Sequence, residues 1–235
     1  MIISHKYKFI FIKTVKTAGT SIEVFLSGCC GDNDIFTPII PHVKPHRARN
    51  YKGLWNPLPE LLNTKDQSVS RSVRNLYATA RAILGRDKFY NHIRASVVRN
   101  RVPEDIWNSY FKFCVERNPW DKTLSHYHML NYRSGGNLSF NDYMLRGKFC
   151  TDFPKYTDTH GNLLVDKVVQ YESLQSELSD VFSELGIPFY GSLGVNAKSE
   201  YRTDRRPYQE VFSDTHRQII EAAFSSEIKM HGYTF

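Results

Sequence analysis

The segment Phe9–Glu23 constrains the fold of this chain more than any other stretch. It reads FIFIKTVKTAGTSIE, so a short run of aromatic and β-branched residues leads into a loop of small and polar residues. The run predicts a buried strand over residues 8–13, and the apolar spacing after the loop predicts a helix over residues 21–27. A strand that passes through a glycine-containing loop into a helix indicates an α/β fold.

The loop in this segment has the properties of an anion-binding site. Loops of this kind expose backbone N–H groups, and the positive end of the following helix dipole points at them. Lys16 adds a full charge and the hydroxyls of Thr17, Thr20 and Ser21 add donors, so the candidate site spans Lys16, Thr17, Ala18, Gly19, Thr20 and Ser21. The order of residues differs from the Walker motif, because Lys16 precedes the glycine. A capped helix beside a surface lysine is the plain alternative.

A second candidate site lies in the segment Phe111–Ser125, which reads FKFCVERNPWDKTLS. We predict a strand over residues 111–116, and Asn118-Pro119 is typical of a helix start, which predicts a helix over residues 119–132. Arg117 would then lie at the carboxyl end of a strand, where α/β sheets bind ligands. Arginine offers a planar fork of donors that suits phosphate, and Ser125 adds a hydroxyl about two helical turns later. A surface arginine is the plain alternative.

The remaining pattern alternates between helices and strands. It predicts an α/β fold of three layers, with a central parallel sheet flanked by helices, in one domain over residues 1–235. Residues 31–87 are rich in proline and weakly periodic, so we predict an irregular excursion over the candidate site. The other predicted elements are a strand over 167–171 and helices over 68–84, 103–110, 140–145, 174–185 and 214–230.

Composition narrows the partners without choosing one. The 235 residues carry a net charge of +7, which suits an anionic partner such as nucleic acid, a membrane surface, a nucleotide or an acidic glycan. The four cysteines and nine histidines show no metal-ligand spacing, so we predict no metal. The polar first residues do not suit a signal peptide, and no apolar run is long enough to span a membrane, so we predict a cytoplasmic protein without an integral membrane segment.

The two candidate sites together resemble a known family. The run Lys16–Ser21 resembles the 5′-phosphosulfate loop of sulfotransferases that use 3′-phosphoadenosine-5′-phosphosulfate (PAPS), in particular the carbohydrate-sulfotransferase branch with its short bacterial homologues. That branch often has proline where this chain has Val15. The run from Arg117 to Ser125, including Asn118-Pro119-Trp120-Asp121, resembles the family's 3′-phosphate motif. The resemblance implies that Arg117 and Ser125 hold the 3′-phosphate.

The resemblance also suggests a catalytic base. In the family a histidine just ahead of the tryptophan-containing run serves as general base, and His92 has that position relative to residues 106–113. His42, His46, His126 and His128 stay open as alternatives. The cluster Arg202, Arg205 and Arg206 receives no role. The resemblance covers residues 1–30, 88–132 and 160–235, and it leaves out residues 31–87.

The predicted function is therefore sulfuryl transfer from PAPS to a hydroxyl of an acceptor, with PAP (3′-phosphoadenosine-5′-phosphate) as the product. The resemblance implies a P-loop-like fold, with Lys16 and His92 as catalytic residues. Basic residues in the excursion favour a carbohydrate or other anionic glycan as acceptor and not a nucleic acid. Two alternatives remain, a nucleotide-dependent kinase or phosphotransferase with a P-loop, and a non-catalytic module that binds glycan or nucleic acid through its basic surface.

Overall fold

A computed structural model describes residues 1–62, 80–81, 83–195, 201–202 and 204–235. Its centre is a five-stranded sheet in the order β3-β1-β2-β4-β5. The strands are β1 Ile2–Ser4, β2 Phe9–Ile12, β3 Ile35–Phe36, β4 Phe111–Glu116 and β5 Lys167–Gln170.

Three strands, β2, β4 and β5, run parallel, and they end at the same edge of the sheet. Ile12 pairs with Cys114, and Glu116 pairs with Gln170. The residues that follow β2 and β4 are therefore brought together, as the sequence predicts for neighbouring parallel strands. β1 adds an antiparallel edge to β2, and β3 pairs with β1. These two short strands were not predicted.

Helices cover both faces of the sheet. They are α1 Gly19–Cys29, α2 Leu58–Leu62, α3 Ala95–Arg101, α4 Glu104–Ser109, α5 Pro119–Arg133, α6 Phe140–Arg146, α7 Phe153–Tyr156, α8 Leu174–Glu184, α9 Tyr208–Val211, α10 Asp214–Ala223 and α11 Ser225–His231. None of these described helices is long and apolar enough to cross a bilayer.

Alternating strand residues build a separate core on each face of the sheet. Phe11 and Phe113 pack against Ile22 of α1 and Phe182 of α8 on one face. On the other face, strand residues including Cys114 pack in a core that also holds Val98 of α3, Trp107 of α4 and Tyr156 of α7. This alternation is what a period of two residues in a strand dictates. The predicted α/β fold with a helix-flanked central sheet is confirmed.

The predicted helices after residue 100 are found within a few residues of their predicted bounds, with one difference. The predicted helix over residues 214–230 is divided into α10 and α11 at Phe224, whose side chain is fully buried. The helix predicted over residues 68–84 falls largely outside the described residues. α1 begins at Gly19, two residues earlier than predicted.

Candidate active site

The loop between β2 and α1 forms a tight turn that leaves the start of α1 without a side-chain cap. Lys16 and Ala18 have φ angles of 62° and 58°, in the left-handed region. Ala18 is the N-cap residue, and its side chain provides no cap hydrogen bond. The first N–H groups of an α-helix point away from its own carbonyl groups, so the start of α1 is suited to binding an anion.

Gly19 is required by a close approach to the chain beneath it. A Cβ at this position would lie 2.8 Å from Cγ of Lys13, a buried side chain. Lys13 is held in place because its Nζ lies 2.6 Å from Oε2 of the fully buried Glu23, which also pairs with the amino group of Met1. A glycine is therefore needed at this position of the loop for steric reasons.

The Thr17 side chain turns inward and not toward the cleft. Its hydroxyl lies 2.7 Å from that of Thr14, which in turn donates to the carbonyl of Val115 in β4. Because both threonines are buried, the Thr17 hydroxyl is not exposed to a ligand in the cleft. Asp152 holds the loop from the other side by accepting the Val15 N–H at 2.7 Å.

Arg117 follows β4 directly and is almost fully buried at the start of α5. Its Nε donates to Oδ2 of Asp121 at 2.8 Å, and its Nη1 donates to the carbonyl of Lys16 at 3.0 Å. The guanidinium also stacks 4.0 Å from the centre of the Tyr171 ring. The two candidate anion sites are therefore in direct contact.

α5 differs from α1 because it carries its own cap. The Asn118 side chain accepts from the N–H groups of Trp120 and Asp121, at 3.1 and 3.4 Å. Asp121 lies one turn after Arg117, and Ser125 lies one turn further, so all three lie on one side of the helix start. Ser125 is half-buried. The second candidate site is therefore built mainly from side chains. The first is built mainly from backbone groups, together with the Lys16 side chain.

Tyr201 and Arg202 reach the site, and only the basic character of this region was noted in the sequence. Lys16 Nζ lies 5.5 Å from the centre of the Tyr201 ring, and that ring packs on Tyr132 of α5. Arg202 donates from Nη1 to Oδ1 of Asp121 at 2.7 Å. Of the predicted basic cluster, Arg202 therefore reaches the site, whereas Arg205 and Arg206 are exposed. Tyr201 and Asp121 are contributions that the sequence did not predict.

Asp121 is ionised by its neighbours. Burial alone would raise the pKa of its carboxyl, but Arg117 and Arg202 overcome this and lower that pKa below its usual value. One carboxylate therefore joins Arg117 at the start of α5 to Arg202 near the C-terminal end of the chain. It balances part of the positive charge of the site.

His92 lies beneath the first loop, and one hydrogen bond shows which of its ring nitrogens carries the proton. Its Nδ1 lies 3.1 Å from the carbonyl of Lys13, and a carbonyl oxygen only accepts, so Nδ1 carries the proton. Nε2 then holds the lone pair of the neutral ring. Burial, reinforced by Lys13 and Lys155, lowers the pKa of His92 to about 4, which keeps the ring neutral at pH 7.

The other candidate histidines divide into two groups. His126 lies near the site, because burial first and Lys16 second lower its pKa to about 4, and its Nδ1 lies 2.9 Å from the Tyr143 hydroxyl. His128 is buried close to Arg202, and burial lowers its pKa most strongly. His46 is buried against Phe36, and the ring nitrogen Nε2 of His42 bonds to the backbone carbonyl of His46.

A cleft of about 760 Å³ opens beside the two candidate anion sites. Ala18 and Ser21 line one side of it, and the turn over residues 171–176 and the loop over residues 192–195 line the other. Clefts that bind nucleotides and other small ligands have volumes in this range. Within the described residues, no cluster of three or more His, Cys, Asp or Glu side chains has the geometry of a metal site.

Comparison with known proteins gives three findings. No protein-family model matches the chain. An uncharacterised protein from Archaeoglobus fulgidus is 32% identical over 111 residues, which cover 45% of this chain and 92% of the archaeal protein. This chain therefore belongs to the same family as that protein. The crystal structure of a sulfotransferase from Alicyclobacillus acidocaldarius aligns over 96% of both chains, with 15% identity and a TM-score of 0.43.

Proposed function

We propose that this chain is a sulfotransferase that moves a sulfuryl group from PAPS to a hydroxyl of an acceptor. The observation that carries the proposal is the 3.0 Å contact between Arg117 Nη1 and the Lys16 carbonyl. It makes one site of two anion-binding loops, and PAPS has phosphate groups at two positions of one ribose. A ligand with a single phosphate would leave one loop unused.

The first loop is the proposed site for the 5′-phosphosulfate. The start of α1, over Gly19, Thr20 and Ser21, supplies preorganised backbone donors, and Lys16 supplies positive charge. Such donors are most effective where negative charge grows during the reaction. Here that charge grows on the oxygen that links sulfur to the leaving phosphate, and Lys16 is the proposed cation that stabilises it. Thr17 and Ala18 complete the loop through their backbone.

The second loop is the proposed site for the 3′-phosphate. Arg117 and Ser125 are the binding residues, with Arg117 oriented by Asp121 through a bond of 2.8 Å. The 760 Å³ cleft next to Ala18 and Tyr171 has room for the nucleoside between the two phosphates. The arrangement thus offers a cation at each end and an open cleft of suitable size.

His92 is the proposed general base. Its Nε2 lone pair is free of the proton because Nδ1 donates to the Lys13 carbonyl, and its lowered pKa keeps it unprotonated at neutral pH. As the acceptor hydroxyl attacks sulfur, Nε2 takes its proton, and a positioned base of this kind contributes about 10²–10⁴-fold. PAPS supplies the sulfuryl group, and PAP leaves as the product.

The acceptor is proposed to be a carbohydrate or other glycan, because basic residues are frequent in the described parts of the excursion. Lys44, Arg47, Lys52, Arg81 and Arg86 lie there. Their charge attracts an anionic acceptor without choosing its structure.

Thermal unfolding with PAP, followed by transfer of labelled sulfate from PAPS to a panel of acceptors, tests the function. PAP should raise the melting temperature, and a labelled sulfate ester should form without added Mg²⁺. Magnesium-dependent turnover of ATP would instead favour a phosphotransferase. Tight heparin or DNA binding that PAP does not alter would favour a non-catalytic module. Absence of both PAP binding and sulfate transfer would overturn the proposal.

A further inference from the structure

A buried lysine lies between two buried carboxylates behind the candidate site. Lys122 Nζ lies 2.6 Å from Oε1 of Glu116 and 2.7 Å from Oδ2 of Asp152. All three residues are fully buried, at 0% exposure. Charges at that depth persist only when they are paired and hydrogen-bonded. Nothing in the proposed chemistry uses these three groups directly, so their placement needs another explanation.

Each carboxylate also holds the backbone of one anion-binding loop. Oδ2 of Asp152 accepts the N–H of Val15, the residue before Lys16, at 2.7 Å. Oε1 of Glu116 accepts the N–H of Arg117 at 2.9 Å. The same two oxygen atoms bond to Lys122. A continuous path of hydrogen bonds therefore runs from one loop, through a single ammonium group, to the other loop.

The remaining oxygens of the two carboxylates are also occupied, which leaves little freedom in the network. Oδ1 of Asp152 pairs with Lys155, and Oε2 of Glu116 accepts from the Tyr156 hydroxyl at 3.2 Å. Burial opposes the charge on Lys122, but Asp152 and Glu116 outweigh it and raise the pKa of the ammonium group. Lys122 therefore stays charged over the whole working range of pH.

We infer that Lys122 is a positioning residue that holds the two anion-binding loops at a fixed separation through Asp152 and Glu116. Its consequence for catalysis rests on the proposed function, whereas its coupling of the loops does not. Replacing a buried ion pair with apolar residues is often neutral for stability, so stability alone does not explain this network. Fixed spacing does, because a donor with two phosphates must meet both loops at once.

Substituting one end of the path and observing the other end tests the coupling. In Asp152→Asn, the amide oxygen can still accept the Val15 N–H, but the charge opposite Lys122 is lost. We expect hydrogen exchange, followed by NMR, to become faster at the N–H of Arg117 as well as at Val15. Glu116→Gln should in turn make hydrogen exchange faster at the N–H of Val15 as well as at Arg117. Exchange that changes only in the loop next to each substitution would overturn the inference.

Lys122→Met has a matched control in Lys112→Met. Lys112 is also a buried lysine and lies at the opposite end of β4, where its Nζ is 3.0 Å from Asp166 Oδ2 and far along the strand from both loops. Both variants should lose some stability. Only Lys122→Met should speed exchange in both loops relative to the β4 core amides, and raise the Kd for PAP by about 10–100-fold, since small misplacements of binding groups are costly.

The outcomes separate this inference from the proposed function. If wild-type protein fails to bind PAP, the proposed function is wrong, and the exchange experiment still decides the coupling. If wild-type protein binds PAP and Lys122→Met binds it equally well with unchanged exchange, the positioning role is wrong and the function stands. Should Lys122→Met not fold, the two carboxamide variants carry the same test, because they retain the shape of the network.

Discussion

Arg117 donates from Nη1 to the backbone carbonyl of Lys16 at 3.0 Å, which joins two loops that are distant in the sequence. The contact follows from the sheet, because β2 and β4 are neighbouring parallel strands and each loop leaves its strand at the same edge. The side chain that is proposed to bind one phosphate thus also supports the loop that is proposed to bind the other. Substitutions in either loop should therefore affect both binding and turnover.

Removing the Lys16 ammonium tests the role of the first loop. Lys16→Ala should lower turnover by about 10²–10³-fold, because it removes charge where the leaving oxygen becomes negative. The affinity for PAP should fall less, since the backbone donors at the start of α1 remain. Labelled-sulfate transfer and calorimetry measure the two effects. Lys148→Ala, which changes an exposed lysine, is the control, and wild-type turnover in Lys16→Ala would contradict the assignment.

Truncating Arg117 tests the second loop. Arg117→Ala should weaken PAP binding by about 2–3 kcal/mol, the range for a charged hydrogen bond. Arg117→Lys should recover only part of the loss, because a lysine cannot reproduce the planar fork that contacts Asp121 and Lys16 together. Calorimetric titration with PAP gives both values. The exposed Arg146, changed to alanine, should leave affinity unchanged. Unaltered binding in Arg117→Ala would exclude it from the site.

The parts of the fold that carry strong local signals were predictable. β4 lies over residues 111–116 as predicted, because an apolar run is followed at once by a proline-started helix. β1 and β3 were missed because strands of three and two residues contain too few positions to show alternation. The division at Phe224 was missed because its apolar side chain fits the helical stripe on either side of it.

The candidate site was predictable where residues act through local motifs, and less so where contacts are long-range. Lys16 and Arg117 were predicted as site residues from the local sequence of the loops that carry them. Glu116 and Lys122 belong to sequence that looks like a charged strand end and a solvated helix face, and only the folded chain shows that they are buried. Tyr201 reaches Lys16 across most of the sequence, and no spacing rule encodes that contact.

Adding one methyl group at Gly19 tests the steric basis of the first loop. The new Cβ would lie 2.8 Å from Cγ of Lys13, which is held by its ion pair with Glu23, so the loop must shift. We expect Gly19→Ala to lower both thermal stability and PAP affinity. Gly28→Ala is a matched control in the same helix, because nothing lies within 4 Å of its Cβ position. That variant should gain about 0.5–1 kcal/mol of stability. Equal behaviour of the two would contradict the close approach.

The protonation state of His92 gives a kinetic prediction. His92→Gln should lower kcat by about 10²–10⁴-fold and change PAP affinity little, since glutamine cannot take the proton. Because burial and nearby cations lower the pKa of His92 to about 4, the acid limb of kcat/KM should fall near pH 4–5 and not near the ordinary value of 6.5. His160→Gln, at an exposed position, is the control. An acid limb near 6.5 that His92→Gln leaves in place would point to another base.

Acid sensitivity of the fold should depend on His46, which is buried and whose ring nitrogens have no hydrogen-bond partner among the described residues. Burial lowers its pKa from 6.5 to about 4. Between these values the unfolded chain binds a proton that the folded chain does not, so stability falls as the pH drops from 6.5 toward 4.

Between pH 7 and pH 4.5, His46→Leu should therefore gain roughly 2–3 kcal/mol of stability relative to wild type. Urea unfolding at pH 7 and pH 4.5 measures the change, and the exposed His160→Gln should keep the wild-type slope. Some slope will remain in His46→Leu, because burial also lowers the pKa of His92 and His126 to about 4. A variant whose loss of stability between the two pH values equals that of wild type would show that His46 is protonated as easily in the folded chain as in the unfolded one.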